Sequence, residues 1–120
     1  MADATLIQRS LSSTTVVIDP GKLLDNSNAH EMVDTISRAQ AMGYRFLIID
    51  MHQLEFISSA GVGSILGSIE TSRETGGDII LCNVSESIRA ILDVLDLTDF
   101  LTIASSLKHA AEGCLNQERQ

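Results

Sequence analysis

Two adjoining stretches decide the fold: Arg45-Phe46-Leu47-Ile48-Ile49-Asp50, then Leu54-Glu55-Phe56-Ile57-Ser58-Ser59-Ala60-Gly61-Val62-Gly63. The first is a short, nearly unbroken apolar run, the pattern of a strand buried on both faces of a parallel sheet. After the second, Val62, Ile65, Leu66 and Ile69 recur at i, i+3, i+4 and i+7, which makes one apolar stripe on a helix. Ser58 and Ser59 stand where that helix must begin. The first N–H groups of a helix lack internal acceptors and carry a partial positive charge, so a serine there either caps them or offers a site where a phosphate is tolerated.

Outward from this centre, Thr5-Leu6-Ile7-Gln8 and Thr14-Thr15-Val16-Val17-Ile18 read as two strands. The short Ser-rich connection between them, Ser10 to Ser13, predicts an antiparallel hairpin. Pro20-Gly21 ends the second strand. Asp25 to Asn28 offers several N-caps, and Asn28 with Glu31 has capping-box spacing. The first helix then carries Ala29, Met32, Val33, Ile36 and Ala39 or Gln40 on one face and closes at Gly43. The helix after Ser59 is expected to run to about Thr75, with Gly76-Gly77 supplying its left-handed end. Gly61, Gly63 and Gly67 inside it each cost about 0.8–1 kcal/mol relative to Ala, which marks close backbone approach to the sheet or to a partner.

Ile79-Ile80-Leu81-Cys82 is the next strand, and Asn83 or Ser85 caps a third helix with Ile88, Ile91, Leu92 and Leu95 on its face. Phe100 to Ile103 reads as a short edge strand. Ser105 opens a last helix with Leu107, Ala110, Ala111 and Cys114 facing inward. Met1 to Ala4 is expected to fray, and Asn116 to Gln120 reads as a polar tail. The order ββαβαβα plus a terminal helix predicts an α/β fold, a small mixed and mostly parallel sheet flanked by about four helices. At 120 residues the chain reads as a single domain, 1–120, with an ordered core of about 5–115.

Composition removes several function classes. Net charge is −8, which repels phosphate backbones, and only 3% of residues are aromatic, too few for base-stacking platforms. No segment approaches the roughly 20 apolar residues of a membrane span, so the expected location is cytoplasmic, without membrane insertion. Cys82 and Cys114 lie in apolar patterns and read as buried free thiols. His30, His52 and His109 are scattered singly, with no zinc spacing. Ile57 stands where a nucleophile elbow around Ser59 needs its first glycine, and no Walker loop or dinucleotide fingerprint occurs. Binding is therefore expected rather than catalysis. On these grounds Ser59 is either a plain helix cap or a hydroxyl whose phosphorylation switches an interface over Ala60, Gly61 and Val62.

The sequence resembles the STAS-domain family, and within it the stand-alone bacterial anti-sigma-factor antagonists. Gly21-Lys22-Leu23 with Asp25 is similar to the family's early G-x-L-D turn. Leu47 to Asp50 with Leu54 to Gly63 is similar to its central strand and phosphorylation loop. Gly76-Gly77-Asp78 and the strand ending at Cys82 resemble the family's next helix end and strand. Ser85, Ile88, Leu92 and the Leu95-Asp96-Leu97 turn resemble its third helix. The resemblance implies a STAS fold and a binding protein without cofactor, metal or catalytic residue. It implies that the unphosphorylated chain binds a serine-kinase anti-sigma factor and frees a sigma factor, and that the kinase inactivates the chain by phosphorylating it. A PP2C-type phosphatase then restores it. Matching the family's F-M-D-S-S-G-L-G to Phe56 through Gly63 puts the phosphoacceptor at Ser59, with Ser58 the second candidate. The partner surface implied is Asp25, Ser58, Ala60, Gly61 and Val62. Ser58 replaces the Asp that many members carry, and Leu24 is one residue extra before Asp25. The alternative that the family allows is a non-catalytic scaffold in a stress-signalling complex or a subunit of a lipid-transport ABC system.

Overall fold

A computed structural model describes residues 7–118. Seven strands and four helices alternate along it: β1 Ile7–Ser10, β2 Thr15–Asp19, β3 Leu23–Leu24, α1 Ala29–Ala41, β4 Phe46–Asp50, β5 Phe56–Ile57, α2 Ser59–Glu74, β6 Asp78–Cys82, α3 Glu86–Val94, β7 Thr102–Ala104 and α4 Leu107–Glu118. Five strands form one sheet in the order β1-β2-β4-β6-β7. The β1–β2 pair is antiparallel and the other pairs are parallel. The hairpin expected near the N-terminus is present, its first strand reaching Ser10, two residues further than expected; Met1 to Leu6, with the expected frayed start, lie outside the described residues.

Each parallel step moves one strand further in the same direction, so a constant crossover hand puts α1, α2 and α3 on one face. That face holds the larger core, with Val16, Ile18, Leu47, Ile49, Ile79 and Leu81 of the sheet against Met32, Ile36, Ile65, Ile69 and Leu92 of the helices. The opposite face receives α4, whose Ala110 and Cys114 pack on Val17, Phe46, Ile48, Ile80 and Cys82. β4 and β6 are buried from both sides, the reason their sequences read as unbroken apolar runs. α1 and α2 are joined by a polar contact as well, because Gln40 Nε2 donates to the Ser68 carbonyl at 3.0 Å and to Ser72 Oγ at 2.9 Å.

Several expectations are corrected. Asn28 sits at the N-cap of α1 but its side chain caps nothing, so no box forms with Glu31. Its Oδ1 instead accepts the Asp25 N–H at 2.9 Å while its Nδ2 donates to the Leu23 carbonyl at 2.7 Å, which folds the β3–α1 turn. Val33 of α1, and Ile91 and Leu95 in or just after α3, are exposed rather than inward-facing. Ser85, not Asn83, caps α3 by accepting the Ile88 N–H at 3.2 Å; Asn83 has φ +56° and turns its amide to Asp50. Ser106 rather than Ser105 accepts the His109 N–H at the start of α4, and α4 continues through the expected tail to Glu118. The edge strand begins at Thr102, two residues later than expected. The largest omission is the parallel pair β3–β5, a two-stranded sheet joining segments more than thirty residues apart.

Both cysteines are buried, and among the described residues they form no disulfide. Burial, and then the nearby Asp50 carboxylate, push the Cys82 thiol up to about 12 from an ordinary 9.0. The unfolded chain releases that proton from about pH 9 and the folded chain does not, so the stabilisation is complete below pH 9 and declines as pH rises from there toward 12. Cys82→Ala is expected to flatten that alkaline decline in urea melts. In the wild type, iodoacetamide at pH 8 is expected to label Cys82 only at the rate of unfolding.

Candidate functional site

The site is built where β5 passes into α2. Lys22 and Leu24 carbonyls accept the N–H groups of Glu55, Phe56 and Ser58 at 2.8, 3.2 and 3.0 Å, so β3 acts as a template for the segment leading to the serines. Leu23 pairs with Phe56 and Leu24 with Ile57. Gly61, in the first turn of α2, lies directly against the Leu24 carbonyl: a Cβ there would collide with that oxygen and fall 2.9 Å from Ile57 Cγ1. Close approach therefore explains Gly61 alone of the three helical glycines. Gly63 and Gly67 have open space where a Cβ would go, and neither marks sheet packing.

A polar cluster fixes the loop before β5. Asp19 and Asp50 end adjacent strands, and both are nearly buried. Asp19 Oδ1 accepts the Gly21 N–H at 2.8 Å, and its Oδ2 accepts Gln53 Nε2 at 3.0 Å. Asp50 Oδ1 accepts the His52 N–H at 3.1 Å and Asn83 Nδ2 at 3.0 Å. His52 Nδ1 lies 3.2 Å from Asp50 and 3.7 Å from Asp19. Two buried carboxylates are thus satisfied by Gly21, His52, Gln53 and Asn83, of which His52 and Gln53 lie in the loop that leads to Ser58.

The two serines divide the possible roles between them. Ser58 is the N-cap of α2, with extended backbone, and its Oγ accepts the Gly61 N–H at 3.2 Å. Its hydroxyl also lies 3.5 Å from Asn26 Oδ1. Ser59 is the first residue of the helix; it is exposed, and its hydroxyl has no hydrogen bond among the described residues. The cap expected of Ser59 is therefore made by Ser58. Of the other residues expected at this surface, Ala60 is half-buried, whereas Gly61 and Val62 are buried. Asp25 is engaged within its own turn: its carboxylate accepts the Ser27 hydroxyl at 2.6 Å and the Ser27 N–H at 2.9 Å. Those bonds, the hydroxyl first, hold its pKa below the usual carboxylate range. The extra Leu24 is accommodated as a strand residue, so Asn26 takes the place beside Ser58 that was expected for Asp25.

A groove of about 400 Å³ opens beside the serines, between the start of α2 and α3. Ile57 and Val62 form its buried floor, Ser58 and Ser59 one rim, and Ala90, Ile91, Val94 and Leu95 the opposite wall. Sequence periodicity missed this wall because it assigned Ile91 and Leu95 to the core. The signal that was available was Val94, an apolar residue outside the inward stripe.

The STAS domain model matches residues 7–110. The chain belongs to the STAS domain family. BtrV of Bordetella bronchiseptica, a candidate anti-sigma factor antagonist, is 24% identical over 89 residues, 74% of this chain and 77% of that protein. The anti-sigma F factor antagonist of Paenibacillus polymyxa is 27% identical over 73 residues, 61% of this chain and 60% of that protein. The Bacillus cell fate determinant SpoIIAA in its phosphorylated form superposes with a TM-score of 0.71 at 25% identity, covering 89% of this chain and 96% of that one. The α/β architecture expected from the sequence, with four helices about a mostly parallel sheet, is the STAS fold.

The division of labour between the serines is measurable. Ser58→Ala is expected to lose about 1 kcal/mol in urea denaturation through loss of the cap, whereas Ser59→Ala stays within about 0.5 kcal/mol of wild type. Gly61→Ala forces a methyl group against the Leu24 carbonyl and is expected to cost about 1–3 kcal/mol. Gly63→Ala, in open space, is the stabilising control in the same melts.

Proposed function

We propose that this STAS domain is an anti-sigma factor antagonist controlled by phosphorylation of Ser59. Unphosphorylated, it binds a serine-kinase anti-sigma factor through the start of α2 and the adjoining surface, and so releases the sigma factor. The kinase phosphorylates Ser59 and ends the association; a PP2C-type phosphatase reverses the modification. The role is binding rather than catalysis, and the setting is the cytoplasm.

One observation carries this reading: Ser59 presents an exposed, unbonded hydroxyl on the first residue of a sixteen-residue helix while Ser58 supplies the cap. A phosphate on Ser59 adds about −1.5 to −2 charges beside helical N–H groups that favour an anion, so the fold tolerates it. A partner seated over the same hydroxyl does not, because the phosphate fills contact space and must be desolvated. A loss of about 2.7 kcal/mol there weakens binding roughly a hundredfold. The names of the curated relatives and the phosphorylated state of SpoIIAA support the same role. Asn26, Ser58, Ala60 and Val62 are the neighbours proposed to complete the contact, with Gly61 acting from beneath by letting α2 approach β3.

The test is mass spectrometry of the chain after incubation with ATP and a lysate of the source cells, wild type beside Ser58→Ala and Ser59→Ala. One phosphoryl group that vanishes only in Ser59→Ala is the expected result. Ser59→Asp is expected to fold normally and bind the kinase at least about tenfold more weakly. Normal phosphorylation of Ser59→Ala would move the acceptor to Ser58. No modification, in a lysate with active serine kinases, would favour the scaffold or transport-subunit alternative.

A further inference from the structure

We propose that the groove between α2 and α3 is a docking site for an apolar segment of the partner protein flanked by Lys or Arg, with Ile91, Val94 and Leu95 as its anchoring wall. The proposal rests on the functional reading above and names the part of the partner that the site takes.

A nine-residue surface helix ordinarily keeps its outer side polar. Here α3 buries Ile88 and Leu92 against the core, yet Ile91 is 37% exposed, Val94 84% and Leu95, immediately after the helix, 48%. These three side chains do not scatter over the surface; they line one groove together with Ser59 and Val62. Contiguous exposed apolar surface of this kind marks an interaction site, whereas single exposed apolar residues do not. The groove is continuous with the hydroxyl that controls the proposed interface, so one partner surface spans both.

Charge selects the occupant. Within residues 86–99, Glu86, Asp93, Asp96 and Asp99 are exposed and acidic, against Arg89 as the single basic residue. A second copy of the chain would bring the same acidic stretch, and a net charge of −8, against itself. An anionic membrane is disfavoured for the same reason. An apolar segment flanked by basic residues fits both the apolar wall and the acidic residues of the stretch that carries it. A phosphate on Ser59 would stand in the mouth of the groove, and an apolar side chain cannot enter beside it without stripping its water. The acidic charges of 86–99 are exposed and screened by salt, so they steer approach and do not offset that desolvation.

The test titrates the purified serine-kinase anti-sigma factor of the same organism, with ADP, into labelled full-length chain followed by fluorescence anisotropy. Val94→Lys and Ile91→Gln alter exposed positions, and their melts serve as the check of fold. Both are expected to weaken binding about tenfold or more. If both groove variants bind as wild type while Ser59→Asp binds weakly, the groove assignment falls and the phosphorylation switch stands. If the kinase neither binds nor phosphorylates the wild-type chain, the functional reading falls and takes the groove assignment with it. Sedimentation velocity supplies the remaining arm: a wild-type dimer that Val94→Lys dissolves would give the groove to a second copy and overturn the proposal.

Discussion

The carbonyl of Leu24 accepts the Ser58 N–H at 3.0 Å, and Gly61 lies against that same oxygen. One hydrogen bond and one missing side chain thereby fix where α2 starts and how closely it approaches β3. With that distance set, Ser58 is aligned to cap the helix and Ser59 opens the first turn with its hydroxyl exposed. Any larger residue at Gly61 must either lift α2 from β3 or break the β3–β5 pairing, and both movements displace the serines together.

The rest of the molecule holds this contact in place. β4 delivers the chain to the site from a fully buried strand, and its last residue, Asp50, is tied to Asn83 at the end of β6. Asp19 at the end of β2 is tied to Gln53 in the loop before β5. That loop is consequently braced from three parallel strands at their carboxyl ends, where the helices of a parallel sheet leave room for function. At the other end of α2, Arg73 Nε binds Asp78 at 2.9 Å and its Nη2 donates to the Phe100 carbonyl at 2.8 Å, anchoring the helix to β6 and to the β7 approach. A helix with both ends pinned suits the proposed control by local charge: a phosphate on Ser59 would change the surface without asking the fold to move.

The two faces of the sheet serve different ends. The face under α1, α2 and α3 carries the larger core and presents the site, whereas α4 covers the other with small residues and two buried thiols. Burial keeps the Cys82 thiol protonated over ordinary pH, so that face offers packing and little reactivity. Exposed apolar residues gather at the α2 and α3 edge, in a stretch that also carries four exposed acidic residues.

Periodicity and the punctuating residues determined much of this protein by themselves. Apolar runs at 46–50 and 79–82 could only be doubly buried strands. The i, i+3, i+4 pattern from Val62 specified α2, and the Ser58-Ser59 pair marked its start, because these signals are local and act over one or two turns. What the sequence left open is mostly long-range. The β3–β5 pair and the exchange of Asp25 for Asn26 beside Ser58 depend on segments meeting across more than thirty residues. Asn28 turns to the Leu23 carbonyl because that pairing holds β3 in place. Which serine caps and which is free was likewise decided by the register that Leu24 imposes on Ser58. Ile91 and Leu95 fit an inward stripe in the sequence, but α3 buries only Ile88 and Leu92 against the core. Only the packed fold could assign the remainder to solvent, and with it the wall of the groove.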